Sequence, residues 1–385
     1  MKKIKLLILF MLLVASFFTN NAVAFADENF TVKSKSAYQM DYATKTVIYE
    51  KNAHEHLPIA SMCKIMTQLL LYEKIDKGEL NTDDKVIVSK NASGMGGSQV
   101  FLEENGEYSV DDLLKSISIA SANDACVAMA EKVCGTTQSF VEEMNKRAAE
   151  LNMGDTLFEN CTGLPSPNQY SCAKDVATMF AELIKHNEYF KYSTIWTDEI
   201  KHPGGRVTGL TNTNKLIRFY KGCDSGKTGY TSEAGHCLCA SAKRDNMRLI
   251  TVVIGAPESK RRFYEVSTLF DNAFNSFCSK TILSKETPLE ITAKIEGGKK
   301  DKVIIRPKED FSYFCQKGKQ IAVDVDFVSE QKVYAPILVG DTVGKLTVYV
   351  DGIAVGEIDA VSNEDVNKKN YCDYIKDVID GWKLK

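Results

Sequence analysis

The sequence predicts an α+β protein in which helices pack on an antiparallel sheet, followed by a small all-β domain and a C-terminal amphipathic helix. Three observations carry that expectation. Helical periodicities stand both before and after a group of strands, with few signals of parallel crossovers. Beyond about residue 285 the segments become short, β-branched and alternating, separated by Gly, Pro and Lys. The last segment gathers its apolar residues on one helical stripe between lysines. With 385 residues, 44% hydrophobic and 26% charged, the chain has enough material for a sizeable core and more than one domain.

The first 26 residues read as an export signal. Basic "MKKIK" precedes apolar "LLILFMLLVA", which is short for a bilayer span, and Ala22-Val23-Ala24 and Ala24-Phe25-Ala26 offer small-residue cleavage sites. Cleaved or kept as an anchor, this segment places the body of the chain outside the cytoplasm. Residues 27–284 then form the expected main domain. "AYQMDYATKTVIYEKNAHE" reads as two short strands around a polar turn, and "PIASMCKIMTQLLLYEKI" as an amphipathic helix. Glycines punctuate a loop-rich patch, "KNASGMGGSQVFLEENGEYS". "VDDLLKSISIASANDACVAMAEKVCG" keeps helical spacing as far as Gly135, and amphipathic helices come next in "TQSFVEEMNKRAAELNM" and "SCAKDVATMFAELIKH". "GHCLCASAKRDNMRLITVVIGA" reads as two strands turning at Arg244-Asp245-Asn246, and the helix "KRRFYEVSTLFDNAFNSF" closes the domain.

Residues 285–362 form the expected β domain, from "PLEITAKIEGG" through "KVIIRP" and "IAVDVDFV" to "KLTVYVDGIAVGEIDAV". Residues 363–385 form the terminal helix, with Tyr371, Tyr374, Ile375, Val378, Ile379 and Trp382 on one stripe. That stripe fits an anionic membrane surface, or docking on the helix's own domain. The net charge of −3 argues against nucleic acid as a partner. The cysteines number eleven, an odd count with no staple framework, so they read as buried free thiols; no His/Cys cluster has zinc-ligand spacing.

The chemistry starts at Ser61 and Lys64. Residues three apart on a helix are neighbours, so this hydroxyl and amine face the same way. Ser61 stands near a helix start, where free N–H groups and the dipole favour negative charge. A neutral amine beside it can take its proton, and the oxygen can then attack a carbonyl whose oxyanion is held by backbone N–H groups. That requires Lys64 to be desolvated or close to another cation. The spacing alone is common: Ser171-Cys172-Ala173-Lys174 and Ser329-Glu330-Gln331-Lys332 match it too. Ser61 is distinguished by two further elements downstream, in order: "SAN" at Ser121-Ala122-Asn123 and "KTG" at Lys227-Thr228-Gly229. Together the three elements match the signature of class A β-lactamases and penicillin-binding proteins.

From about residue 30 to its C-terminus the chain resembles the serine-type D-alanyl-D-alanine carboxypeptidases, the low-molecular-weight penicillin-binding proteins. The stretches that carry the likeness are "ASMCKIMT", "GSQVFLEENGEYSVDDLLKSISIASANDAC", "GLPSPNQYSCAKDVA", "GCDSGKTGYTSEAGHCL" and "RLITVVIGA". The resemblance implies a β-lactamase/transpeptidase-like main domain and a terminal helix resting on the outer face of the cytoplasmic membrane. It makes Ser61 the acylated nucleophile, Lys64 its base and Ser121 the proton relay to the leaving amine. It has Asn123 bind the substrate backbone, and Lys227 and Thr228 the terminal carboxylate. Gly229 lets substrate lie along the strand, Ser61 and Tyr230 supply the oxyanion N–H groups, and an arginine in "ESKRRF", Arg262 ahead of Arg261, grips the carboxylate. The implied partners are peptidoglycan stem peptides ending in D-Ala-D-Ala, with β-lactams as covalent inhibitors. No metal or organic cofactor is called for.

Two positions depart from the family pattern: Cys63 replaces a common threonine and Ala122 a common glycine. Two rival readings remain. A β-lactamase needs a glutamate-held deacylating water, for which Glu159 in "LFENCTGL" is the one tempting residue, though without the surrounding pattern. A non-catalytic penicillin-binding sensor would keep the fold without turnover. A Ser-His-Asp hydrolase is remote, since no GxSxG elbow is present.

Overall fold

The computed structural model describes residues 30–330 and 332–383. The expected export signal, residues 1–26, lies outside the described residues. The chain divides into two compact units at Ser276/Phe277.

The first unit begins with an antiparallel hairpin, β1 (Ser36–Asp41) and β2 (Val47–Lys51). A 3-10 turn, Ala60–Cys63, runs straight into helix α1 (Lys64–Asp76). Next come the small hairpin β3 (Lys85–Ile87) and β4 (Glu107–Ser109), then helices α2 (Val110–Ala120), α3 (Asn123–Cys134), α4 (Thr137–Glu150), α5 (Ala173–Leu183) and α6 (Asn187–Ser193). A second hairpin, β5 (Thr197–Lys201) and β6 (Val207–Thr211), leads to β7 (Cys223–Thr231), β8 (Gly235–Arg244), β9 (Met247–Ala256) and helix α7 (Ser259–Ser276). The main sheet is antiparallel throughout, in the order β2-β1-β9-β8-β7. Helices α5 and α7 both pack on β9, which is buried along nearly its whole length, as a strand covered on both faces must be. Strand β7 ends the sheet and leaves one backbone edge unpaired by any strand of this sheet.

Two helical expectations change. The stretch from Val110 to Gly135 is two helices, because Ser121 adopts left-handed φ 62, ψ 34 and breaks the ladder. Helix α1 is not amphipathic: Lys64 through Tyr72 are all buried. Its polar members have internal partners. Thr67 Oγ1 donates to the Cys161 carbonyl (2.7 Å), Gln68 Nε2 to the Lys64 carbonyl (3.3 Å), and Gln68 Oε1 accepts from Ser118 Oγ (2.6 Å). Those bonds tie α1 to α2 and to the segment after Phe158.

The second unit holds β10 (Phe277–Leu283), β11 (Thr292–Lys294), β12 (Lys302–Pro307), β13 (Phe311–Gln316), β14 (Val323–Ser329), β15 (Thr342–Val350), β16 (Ile353–Ser362) and helix α8 (Tyr371–Lys383). A five-stranded sheet of order β11-β12-β16-β15-β14 and the pair β10-β13 make it β-rich as expected. The division falls earlier than residue 285 because Phe277–Leu283 is a strand of this unit, paired with β13. On α8, Tyr371, Tyr374, Ile375, Val378 and Ile379 are all exposed. No helix among the described residues is long and apolar enough to cross a membrane.

Candidate active site

The 3-10 turn decides how Ser61 meets Lys64. In that geometry residues i and i+3 eclipse one another, so the side chains stack more directly than on an α-helix. Lys64 Nζ lies 3.0 Å from Ser61 Oγ and donates to the Thr162 carbonyl at 2.5 Å. Ser61 is half-buried, while Lys64 is fully buried. Burial holds the Lys64 amine below its ordinary value, which favours the neutral base.

Backbone placement of the turn is tightly constrained. Ala60, just before the nucleophile, has φ 47. A Cβ on Gly163 would lie 2.0 Å from the Ala60 carbonyl oxygen, and one on Gly229 would lie 2.7 Å from the Ile59 carbonyl oxygen and 3.2 Å from Ser61 N. The nucleophile's turn is therefore held between two backbones that tolerate only glycine. At Gly229 the obstacle is the protein's own turn, a stricter demand than clearance for substrate.

The second motif sits across the cleft. Ser121 is buried, and its Oγ accepts from Lys227 Nζ at 2.6 Å. Lys227 also donates to the Thr228 carbonyl (3.2 Å). Its amine is depressed further than that of Lys64, by burial first and then by the charges of Lys64 and Arg262. Asn123 opens α3; its Nδ2 donates to the Gly96 carbonyl at 2.7 Å, while its buried Oδ1 has no protein partner. A carbonyl so placed is an acceptor for a substrate N–H.

The third motif lies on the edge strand β7, with Lys227 and Gly229 on one face by the pleat and Thr228, also buried, between them. Tyr230 projects into solvent and stacks on His236, with ring centroids 4.4 Å apart. Its backbone N comes directly after Gly229, on which a Cβ would lie 3.2 Å from Ser61 N. Arg262 reaches this strand: Nη1 donates to the carbonyls of Gly229 (2.8 Å) and Cys237 (3.2 Å). Arg261 turns away to Glu265 (2.7 Å) and the Thr31 carbonyl (2.9 Å), which separates the two arginines cleanly. A cavity of about 590 Å³ opens beside the turn, lined among others by His56, Ile59, Ala60, Gly163, Tyr170 and Thr231.

The other two Ser-x-x-Lys matches do not form comparable sites. Ser171 is buried and shares a hydrogen bond with Thr156 (2.8 Å) while Lys174 is exposed, so that motif forms no pair. Ser329 is exposed, and Gln331 within its motif is outside the described residues. Glu159 accepts from Ser166 Oγ, Asn168 N (3.0 Å) and Asn168 Nδ2 (2.9 Å), bonds that hold its carboxyl below the usual range and fasten a loop. Cys63 is buried, donates to the Asn160 carbonyl at 3.1 Å and has its pKa pushed well up by burial. A threonine hydroxyl would serve equally as that donor. Ala122 has φ −63, so glycine is not needed there; the left-handed residue is Ser121.

Two positioning residues escape sequence reading. Asn160 Oδ1 accepts from Thr162 N (3.1 Å), Thr162 Oγ1 (3.0 Å) and Gly163 N (2.7 Å), shaping the loop whose carbonyls hold Cys63, Thr67 and Lys64. Asp124 accepts from the N–H groups of Val100 (3.1 Å) and Leu102 (3.0 Å), fixing the loop beside Asn123. The Asn-Cys-Thr-Gly run is a turn signal that could have marked the first.

A family profile described as D-alanyl-D-alanine carboxypeptidase matches residues 22–258. The chain belongs to this carboxypeptidase family. A second profile, the C-terminal domain of penicillin-binding protein 5, matches residues 277–368. The carboxypeptidase is 40% identical over 351 residues to D-alanyl-D-alanine carboxypeptidase DacF of Bacillus subtilis (strain 168), covering 91% of this chain and 90% of that one. It is also similar to the crystal structure of penicillin binding protein 5 from Haemophilus influenzae, with TM-score 0.72 and 29% identity, covering 89% of this chain and 100% of that one. PBP3 from Streptococcus pneumoniae, described as a peptidoglycan synthesis regulatory factor, gives TM-score 0.73 at 26% identity, with 88% and 100% covered.

Proposed function

We propose that this carboxypeptidase removes the terminal D-alanine from peptidoglycan stem peptides through an acyl-enzyme at Ser61, and that β-lactams acylate the same oxygen. The carrying observation is a fully buried, pKa-depressed amine 3.0 Å from the Ser61 hydroxyl. The neutral Lys64 amine accepts the Ser61 proton as Oγ attacks the penultimate carbonyl, and the N–H groups of Ser61 and Tyr230 receive the oxyanion. Ser121, hydrogen-bonded to Lys227, relays to the departing D-alanine amine the proton that Lys64 took from Ser61, which leaves Lys64 neutral for the water step. Substrate runs along the free edge of β7, its amide N–H meeting Asn123 Oδ1, and its carboxylate meets Lys227, Thr228 and Arg262. Water then hydrolyses the acyl-enzyme.

The saturated hydrogen bonding of Glu159 speaks against its holding a deacylating water, so slow release of penicillin is expected. The exposed apolar face of α8 supports a seat on the outer surface of the cytoplasmic membrane, and binding to anionic vesicles that is lost on Ile375→Asp with Val378→Asp tests it. The activity is tested by D-alanine release from a D-Ala-D-Ala peptide. The wild type turns it over, and Ser61→Ala or Lys64→Ala loses about 10⁴-fold. Penicillin binding without D-alanine release would make the protein a sensor instead, and steady penicillin hydrolysis would make it a β-lactamase.

A further inference from the structure

Outside the catalytic groups, three separate segments bring metal-ligand chemistry to one point. His54 Nδ1 lies 2.7 Å from Asp155 Oδ2, and Cys172 Sγ lies 4.0 Å from the same oxygen. These three ligand atoms are all within 4.8 Å of one another. His56 Nε2 sits 2.9 Å from the other oxygen, Asp155 Oδ1, and its ring stacks on Tyr170. The segments are themselves laced together: Leu57 N donates to the Ser171 carbonyl (2.9 Å), Ser171 N to the Leu57 carbonyl (3.0 Å), and Lys174 N to the Ala53 carbonyl (3.1 Å).

We propose that His54, Asp155 and Cys172 form a zinc-type divalent metal site beside the catalytic cleft, with His56 steadying the Asp155 carboxylate. Tetrahedral zinc, with bonds of about 2.0 Å to nitrogen and oxygen and about 2.3 Å to sulfur, sets ligand atoms roughly 3.3–3.5 Å apart. The observed spacings bracket that range, and His54 and Asp155 are free enough at the surface to adjust. One imidazole, one carboxylate and one thiolate select zinc over calcium or magnesium, which take oxygen ligands. A fourth position remains for water. Hydrogen bonding explains the two His–Asp pairs and the capping of α5, but not the convergence of imidazole, carboxylate and sulfur on one point. Cys172 caps α5 and its sulfur accepts from Asp175 N at 3.4 Å, a setting suited to a thiolate. Metal binding deprotonates it: Cys172–SH and Zn²⁺ give Cys172–S–Zn⁺ and a released proton, so affinity falls as pH falls. The ligands come from a turn, a loop and a helix cap, which is why no ligand spacing is visible in the sequence. Because His56 lines the cavity beside Ala60, the metal would brace the strap leading to Ser61.

The test uses the purified, chelator-treated full chain. Calorimetric titration with Zn²⁺ should give one equivalent at micromolar affinity or tighter, and saturation should raise Tm by about 5 °C. Co²⁺ should give an intense thiolate-to-metal absorption band. His54→Ala and Cys172→Ser should each weaken Zn²⁺ binding by at least about a hundredfold, and His56→Ala by about 10–100-fold. Cys172→Ser should abolish the cobalt band, whereas Cys372→Ser, at an exposed thiol, should change nothing. Acylation by fluorescent penicillin, measured in parallel, shows that each variant is folded. No saturable uptake by the wild type, undiminished affinity in either ligand variant, or a cobalt band that survives Cys172→Ser overturns the proposal.

Discussion

Replacing Gly229 by alanine measures how firmly the nucleophile's turn is held. The added Cβ would stand 2.7 Å from the Ile59 carbonyl oxygen, 3.1 Å from Ala60 Cβ and 3.2 Å from Ser61 N. An ordinary carbon–oxygen contact begins at about 3.3 Å, so the overlap is roughly 0.6 Å. The obstacle is backbone, and the same Ile59 oxygen accepts the Met62 N–H (3.1 Å) that closes the 3-10 turn. Strand and turn must therefore part by about half an ångström. Catalytic groups must be held within about that distance of the productive geometry, and 1 Å costs about 10²-fold. Acylation should fall between about tenfold and a hundredfold, and overpacking should remove about 1–3 kcal/mol of stability. The assay is the second-order rate of acylation by a fluorescent penicillin together with Tm, using Gly209→Ala, which meets open space, as the control. A Gly229→Ala protein that acylates within twofold of wild type and melts at the same temperature would refute this account of the turn.

Three more outcomes are expected. Lys227→Met should abolish turnover yet raise stability at neutral pH by about 1–3 kcal/mol, because the buried amine is depressed well below its ordinary 10.5. Between the folded and unfolded values the unfolded chain binds more protons, so wild-type stability should climb with pH across that window and the gap to the variant should close; urea unfolding at stepped pH reads it. Small thiol reagents should leave native acylation intact, since Cys63 is fully buried and its thiol is pushed up, and loss of activity on labelling at Cys63 would contradict that. Cys278 and Cys315 face each other across β10 and β13 with sulfurs 3.7 Å apart, so mild oxidation should join them and stabilise the C-terminal unit by about 4 kcal/mol, as read by mass and melting.

The local parts of this architecture were readable. The β8–β9 hairpin turns at the Arg244–Asn246 position its polar residues announced, with Asp245 at φ 51. Helix α4 starts behind Thr136, whose hydroxyl accepts from Ser139 N (3.1 Å). Ser61, Lys64, Ser121 and Lys227 were singled out by spacing and order, and two hydrogen bonds now join them as pairs. The unreadable parts depend on distant partners. Apolar periodicity continues through Ser121, and only the left-handed backbone there splits the helix. Helix α1 looked amphipathic because Lys64, Thr67 and Gln68 carry no sign of the loop carbonyls and serine that satisfy them. Strands β10 and β13 escaped because each borrows its partner from across the β11–β12 hairpin. The cluster at His54, Asp155 and Cys172 escaped for the same reason.

The proposed acylation rests on burial lowering the Lys64 amine far enough to take the Ser61 proton. Its most direct measurement is the pH dependence of acylation by a fluorescent penicillin, with the labelled residue mapped by mass spectrometry at each pH. The label should appear on Ser61 alone, with a rate that rises through a single ionisation below the ordinary lysine value and a loss of about 10⁴-fold in Lys64→Ala. A label on another residue, or a rate that begins to rise only near 10.5, would contradict it.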